Sequence, residues 1–277
     1  VSRRLGAPLV FTHHTRFADY GHYLGALAAP ATAALDAHLR RFWAGCAAVV
    51  APSSDLAAEI SERLGAAGPR VRVIPTGIDL PVIRALHPID PRAGAGWPGE
   101  SVVVATLGRL AREKNLELLV DAFRVAAAGL PGLRLLVIGG GPLEASLRRR
   151  VERGGIAARV HFAGKQPHPE ALALLSGADL FAFASQTETQ GLVLAEALAC
   201  GLPVVTLDGP GVADSVRHGI DGLVAYDAAE LSRMVGALAA DTGRRAVMAA
   251  AARDGVERFS AARRIGEMEG LYRDLLA

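Results

Sequence analysis

Cysteine is nearly absent. Cys46 and Cys200 are the only two among 277 residues, and they lie far apart. That spacing argues against a disulfide framework and against a cysteine metal site, leaving two small buried side chains as the ordinary reading. A reducing cytoplasm suits such a chain. Neither sign of charge is in excess. The 30 basic and 28 acidic residues leave a net charge of +2, too little for bulk nucleic-acid binding, although a local basic patch stays open. No apolar run reaches about 18 residues without a charge, so no membrane-spanning helix is expected. The nucleophile elbow G-x-S-x-G and the phosphate loop G-x-x-x-x-G-K-[ST] are both missing, which removes the simplest arguments for a serine hydrolase or a P-loop enzyme.

What is present is alternation. Hydrophobic residues make up 51% of the chain, enough for one large domain or two small ones. Short apolar runs alternate with helical patterns, the βαβ signature of parallel sheets covered on both faces. Strands are expected at Pro8–Thr12, Ala47–Ala51 and Val71–Pro75, with a helix over Ser54–Leu64 that Ser53 or Ser54 caps and Gly65 stops. Residues 84–100 are rich in Pro and Gly and read as a linker. A second series follows, with strands at Val102–Leu107, Leu133–Ile138, Val160–Ala163, Leu180–Ala184, Pro203–Leu207 and Leu223–Tyr226. Helical patterns fill its gaps. That is a complete six-stranded doubly wound unit, expected in the order 3-2-1-4-5-6. The first series supplies about half such a sheet. Its leading strand lacks a neighbour, so further N-terminal sequence is expected in the natural protein.

Four constellations carry chemistry. Glu188 and Glu196 stand eight residues apart around Gly191, at a strand-to-helix turn on the carboxyl side of a parallel strand. Paired carboxylates there suit vicinal hydroxyls, or are two solvated acids around a helix cap. Gly108-Arg109 with Lys114 follows the first strand of the second unit. Two cations at that point match phosphate oxygens, or are ordinary surface charge. Gly139-Gly140-Gly141-Pro142 lets backbone approach a ligand, or is a tight turn. It is not G-x-G-x-x-G and makes a poor case for a nicotinamide cofactor. Thr12-His13-His14-Thr15 ends the first strand. Its two histidines point to opposite faces, which argues against joint metal chelation and leaves a cleft-facing or a structural histidine.

In this order, Phe11–Thr15, Val49–Ser53, Val73–Asp79, Gly108–Asn115, Gly139–Pro142 and the Glu188–Glu196 pair resemble glycosyltransferase family four over nearly the whole chain. The resemblance implies an α/β GT-B-like fold of two Rossmann-like domains, with the N-terminal one incomplete and the C-terminal one complete. The divisions are a partial acceptor-side domain over 1–85, a linker over 86–100, a nucleotide-sugar-binding domain over 101–255, and a C-terminal helix over 256–277 packing back toward the first domain. It implies a nucleotide-sugar donor, no metal, no other cofactor, and retention at the anomeric carbon. Arg109 and Lys114 would hold the diphosphate beside Gly108. Glu188 and the backbone of Gln190, Gly191 and Leu192 would hold the sugar hydroxyls, and Glu196 the ribose. Lys165-Gln166-Pro167 would lie beside the base, largely through its backbone. His14 would approach the donor sugar from the first domain.

A narrower likeness concerns the acceptor. Thr187-Glu188-Thr189-Gln190-Gly191, with His14–Phe17, Asp19-Tyr20 and His22–Leu24, is similar to bacterial diacylglycerol glucosyltransferases. It implies UDP-glucose as donor, a lipid acceptor, and Asp19 and Tyr23 on the acceptor side. Leu35–Trp43, with His38, Arg40, Arg41, Phe42 and Trp43, would touch an anionic membrane from the cytoplasmic side, or is an ordinary amphipathic helix. A soluble acceptor such as a phosphoinositol, sugar or sugar phosphate is the alternative, and a catalytically silent nucleotide-binding fragment is another. The loop Asp208–Asp214 lacks the family's common Pro-Glu pair, which leaves one wall of the donor site unassigned.

Overall fold

The computed structural model describes residues 6–15, 28–66 and 68–277. Asp19 and Tyr23, with the rest of the 16–27 motif, lie outside the described residues. Among the described residues the strands are β1 (Val10–Thr12), β2 (Ala48–Ala51), β3 (Arg70–Val73), β4 (Val102–Leu107), β5 (Leu133–Ile138), β6 (Val160–Gly164), β7 (Leu180–Phe183), β8 (Val204–Leu207) and β9 (Gly222–Ala225). The helices are α1 (Ala28–Trp43), α2 (Ser54–Leu64), α3 (Leu80–Arg84), α4 (Pro91–Ala95), α5 (Leu116–Ala128), α6 (Glu144–Arg153), α7 (His168–Ser176), α8 (Leu192–Ala199), α9 (Val212–Ser215), α10 (Ala228–Ala240), α11 (Thr242–Gly255) and α12 (Ala261–Leu276). None of them is long and apolar enough to cross a membrane.

Two parallel sheets result. The first runs β1-β2-β3, and the second runs β6-β5-β4-β7-β8-β9. The second is the expected 3-2-1-4-5-6 order, so its chain reverses direction across the sheet between β4 and β7. That is where open α/β sheets leave a crevice at their strand tips. The apolar runs are nearly continuous because both faces are covered. Along β4, Val104 packs with Leu119, Phe123 and Leu135 on one face. Its neighbours Val103 and Ala105 pack with Leu172, Phe181 and Leu198 on the other, the period-two alternation of a strand. Ser53 caps α2 from its side chain, and Gly65 ends the helix in a positive-φ conformation.

Residues 84–100 are not a loose tether. Asp90 caps Pro91–Ala95 at its start, with Pro91 in the first turn, a start signal too short to show helical period. Arg92 donates to the carbonyls of Ser101 and Gly177 and pairs with Asp179. Trp97 meets His161 edge-on at 6.1 Å. The chain crosses back to the first sheet beside Ile78, whose N–H donates to Phe259 O at 2.8 Å while Ala261 N–H donates to Ile78 O at 2.9 Å. Gly77 allows that approach, since a Cβ there would fall 2.4 Å from Ala261 Cα. Beyond the crossing, Leu271 of α12 is buried with Ala48, Val50 and Ile74 of the first domain.

Candidate functional site

The site is built from loops at the tips of β4, β5, β6 and β7. Gly108 follows β4 at φ 154° and Gly139 follows β5 at φ 136°. They touch so closely that a Cβ on Gly139 would stand 1.9 Å from Gly108 O. A Cβ on Gly141 would stand 2.5 Å from Leu110 O. The glycine run is therefore the cushion on which the Arg109 loop rests. Leu110 N–H donates to Gly140 O and Leu143 N–H to Leu110 O, at 3.1 and 2.9 Å.

A cavity of about 440 Å³ opens above this cushion, lined by Gly108, Arg109, Gly140, Lys165, Gln166 and His168 among others. Arg109 and Lys165 are exposed, and the Arg109 guanidinium has no partner among the described residues. Two cations over glycine backbone make a site for anionic oxygens. The Gln166 side chain donates to Ala163 O at 2.6 Å, so this residue offers the cavity its backbone rather than its amide.

The second wall is the loop from β7 to α8. Ser185 Oγ and Thr187 Oγ1 both donate to Glu113 O, at 3.0 and 3.2 Å. These bonds stitch the carboxylate loop to the Arg109–Asn115 loop. Lys114 Nζ then lies 2.5 Å from Glu188 Oε1. Lys114 and Glu188 are thus an ion pair in this structure, and neither lines the 440 Å³ cavity. Glu196, on α8, is hydrogen-bonded to His168 Nε2 at 2.8 Å, which ties it to the cavity rim. Sequence reasoning missed His168. Its position at the first residue of α7, beside Pro167, was the available signal. Leu192 is partly exposed at the start of α8, and Gly191 before it takes a left-handed φ of 68°.

Three placements bear on the expected roles. Gln190 is buried, its side chain bonds the backbone of Thr76, and its own carbonyl accepts from Ser215 Oγ. That carbonyl is committed to the fold. His14 lines a separate cavity of about 340 Å³ with Thr12, Thr76, Gly77 and Arg264. The Arg109 cavity does not include it. Trp43 is buried at 1% exposure, edge-on to His13 at 5.1 Å. His38, Arg40, Arg41 and Phe42 remain exposed on that helix, as does Leu35, while Trp43 turns into the core with Leu56 and Ile60.

The loop Asp208–Asp214 closes against the first domain. Asp214 accepts from Ser54 N–H and Oγ at 2.7 and 2.9 Å, and Asp55 accepts from Gly211 N–H at 2.9 Å. Among the described residues no group of histidines, cysteines and acids is placed to hold a metal ion.

His13 and His14 do face opposite ways: His13 is 4% exposed and His14 is open. Burial lowers the His13 pKa below its ordinary value of 6.5. The unfolded chain takes up that proton first, so stability is complete above about pH 6.5 and falls as pH drops toward the folded-state value. Urea midpoints at pH 7.5 and pH 5 are expected to differ less in His13→Phe than in the unsubstituted protein. Equal differences would contradict this.

Strand tips at the switch point, glycine backbone facing a cavity, and cations on its wall define a two-domain α/β protein with a concave, cation-lined site at the tips of its second sheet. The comparisons agree. Residues 90–255, more than half of the chain, match the family described as glycosyl transferases group 1, and residues 1–81 match glycosyltransferase family 4. The chain belongs to this family of glycosyltransferases. D-inositol 3-phosphate glycosyltransferases of Mycobacterium bovis and Mycobacterium tuberculosis are 38% identical over 179 residues, covering 63% of this chain. The match takes in 36% of those relatives' own length. Anabaena HepE in complex with UDP superposes with a TM-score of 0.79 at 23% identity, over 99% of this chain and 74% of its own. Sucrose-phosphate synthase from Thermosynechococcus elongatus gives 0.79 at 26% identity, over 96% and 67%. The fold is GT-B.

Proposed function

We propose that this chain binds a UDP-linked hexose and transfers the hexose to a phosphorylated polyol, with retention. The observation that carries the donor half is the unpartnered Arg109 beside Lys165 over the Gly108–Gly140 cushion. In this reading the diphosphate lies against Arg109, the base beside Lys165–Pro167, and the ribose at Glu196. Lys114 and Glu188 meet the donor together. The cation turns to the leaving phosphate and the carboxylate to the sugar hydroxyls, with the ion pair between them as the resting arrangement. The C1–O bond to the diphosphate breaks and a C1–O bond to the acceptor forms. The acceptor proton passes to the leaving phosphate oxygen. Negative charge gathers on that phosphate, where fixed cations stabilise it most.

The acceptor class is chosen on the relatives named for D-inositol 3-phosphate. The lipid reading draws on the Thr187–Gly191 wording, on a motif whose residues 16–24 lie outside the described residues, and on α1, where burial of Trp43 removes the largest aromatic from that surface. UDP-glucose is the first donor to try, since HepE has been crystallised with it. The test is a transfer assay crossing UDP-, GDP- and ADP-sugars with inositol phosphate, sugar phosphates and detergent-dispersed diacylglycerol. Product from a UDP-sugar and a phosphorylated polyol supports the proposal. Product from diacylglycerol alone replaces its acceptor half, and nucleotide binding without any turnover replaces it by a silent binding fragment.

A further inference from the structure

We propose that Gln190 is a positioning residue, tying the carboxylate loop to the interdomain crossing. The loop that meets the donor would thereby also set where the first domain stands, and His14 with it. The inference rests on the donor reading above.

Gln190 is 7% exposed at the end of the loop that enters α8. Both ends of its amide are spent on one residue of the first domain. Oε1 accepts from Thr76 N–H and Nε2 donates to Thr76 O, each at 2.8 Å. One side chain thus satisfies both backbone groups of a residue 114 positions away in sequence. A paired bond of this kind is costly to break on the Gln190 side, where the amide is buried, while Thr76 lies at the surface. Gln190 itself cannot slide. Ser215 Oγ holds its carbonyl at 3.2 Å, and Gly211 packs so tightly that a Cβ there would fall 2.9 Å from Gln190 Cα.

Thr76 is an informative place to attach. It stands two residues before Ile78, whose backbone bonds to Phe259 and Ala261 join the two crossings. It also lines the cavity that holds His14. The tie therefore runs from the Glu188 loop to the interdomain crossing, and from there to the cavity that His14 lines. The Asp214–Ser54 and Asp55–Gly211 bonds span the same cleft from the neighbouring loop. Gln190 differs from them in being a buried side chain that reaches the crossing itself. Where two domains move relative to one another, few residues absorb the change, so a tie to a crossing restrains their relative placement.

The test uses Gln190→Met, which keeps the length and loses both bonds, and measures three quantities on the full chain. Exchange of the Thr76 amide should quicken about 10-fold or more. UDP affinity by calorimetry should stay within about threefold, since the Gln190 side chain does not line the Arg109 cavity. Turnover of UDP-glucose should lose about 10-fold in kcat with KM nearly unchanged, the signature of lost positioning. Gln190→Asn keeps the amide one methylene short and should give the same pattern, faster exchange and lower kcat with UDP affinity held, if the Met variant fails to fold. Unchanged Thr76 exchange overturns the proposal, as does faster exchange with kcat intact. Parallel losses of UDP affinity and kcat also overturn it, because they mark a general structural role. If the unsubstituted protein fails to bind UDP, the donor reading fails, and Thr76 exchange still decides whether the tie exists.

Discussion

Arg109→Ala is expected to lower donor turnover by about 100-fold or more, the loss of one strong charge contact to a departing phosphate. It should leave folding stability within about 0.5 kcal/mol of the unsubstituted protein. The separation of these two effects follows from the structure. Arg109 is exposed on the cavity wall and has no partner among the described residues, so no internal bond is lost with it. Lys114→Ala makes a less clean comparison. It removes a cation but also strands Glu188, whose side chain is only 18% exposed and pairs with Lys114. A variant that loses both turnover and stability at Lys114, yet only turnover at Arg109, fits the assignment. Near-normal kcat in Arg109→Ala would remove that residue from the chemistry.

Gly139→Ala is expected to be the most damaging single methyl group in the second domain. Its φ of 136° is one that side-chain-bearing residues rarely adopt, and the new Cβ would meet Gly108 O at 1.9 Å. Strain of this kind costs about 3 kcal/mol or more, which lowers Tm by about 6–12 °C in a chain of this size. The backbone that must move carries Arg109, so UDP affinity should fall with stability. Gly132→Ala is the control, because a Cβ there meets nothing within 4 Å. It should change Tm by no more than about 2 °C. Equal effects at the two positions would mean that the β5 turn is not the support on which the donor loop rests.

Much of this was legible in the sequence, and the reason is local. The strands of the second sheet announced themselves as largely apolar runs such as Val102–Leu107 or Leu133–Ile138, because burial on both faces leaves few polar positions such as Arg134 to obscure them. Gly108, Arg109 and Gly139-Gly140 were readable as turns at a concave site because strand tips of parallel sheets are where such crevices form. What escaped depends on partners distant in the chain. Nothing near Gln190 says that its amide will meet Thr76, and nothing near Asp214 says that it will cap Ser54 from across a cleft. Trp43 beside Arg40 and Arg41 read as a membrane face or as an ordinary amphipathic helix. The helix turn that separates Trp43 from its neighbours is set by packing on Leu56 and Ile60. The short helix at Pro91–Ala95 left one usable trace, the Asp-Pro pair at its start, inside a stretch whose glycines pointed the other way. His168 gave no trace as a partner of Glu196, since only the fold of α7 against α8 brings them to 2.8 Å.

The most direct measurement is a crystal structure of this chain grown with UDP. The account places the diphosphate against the Arg109 guanidinium and the Gly108 backbone, with the base beside Lys165 and Pro167 and a ribose hydroxyl on Glu196. UDP bound away from the tips of β4 and β5, or density for it only at the surface of another molecule in the lattice, would contradict that placement and the function built on it.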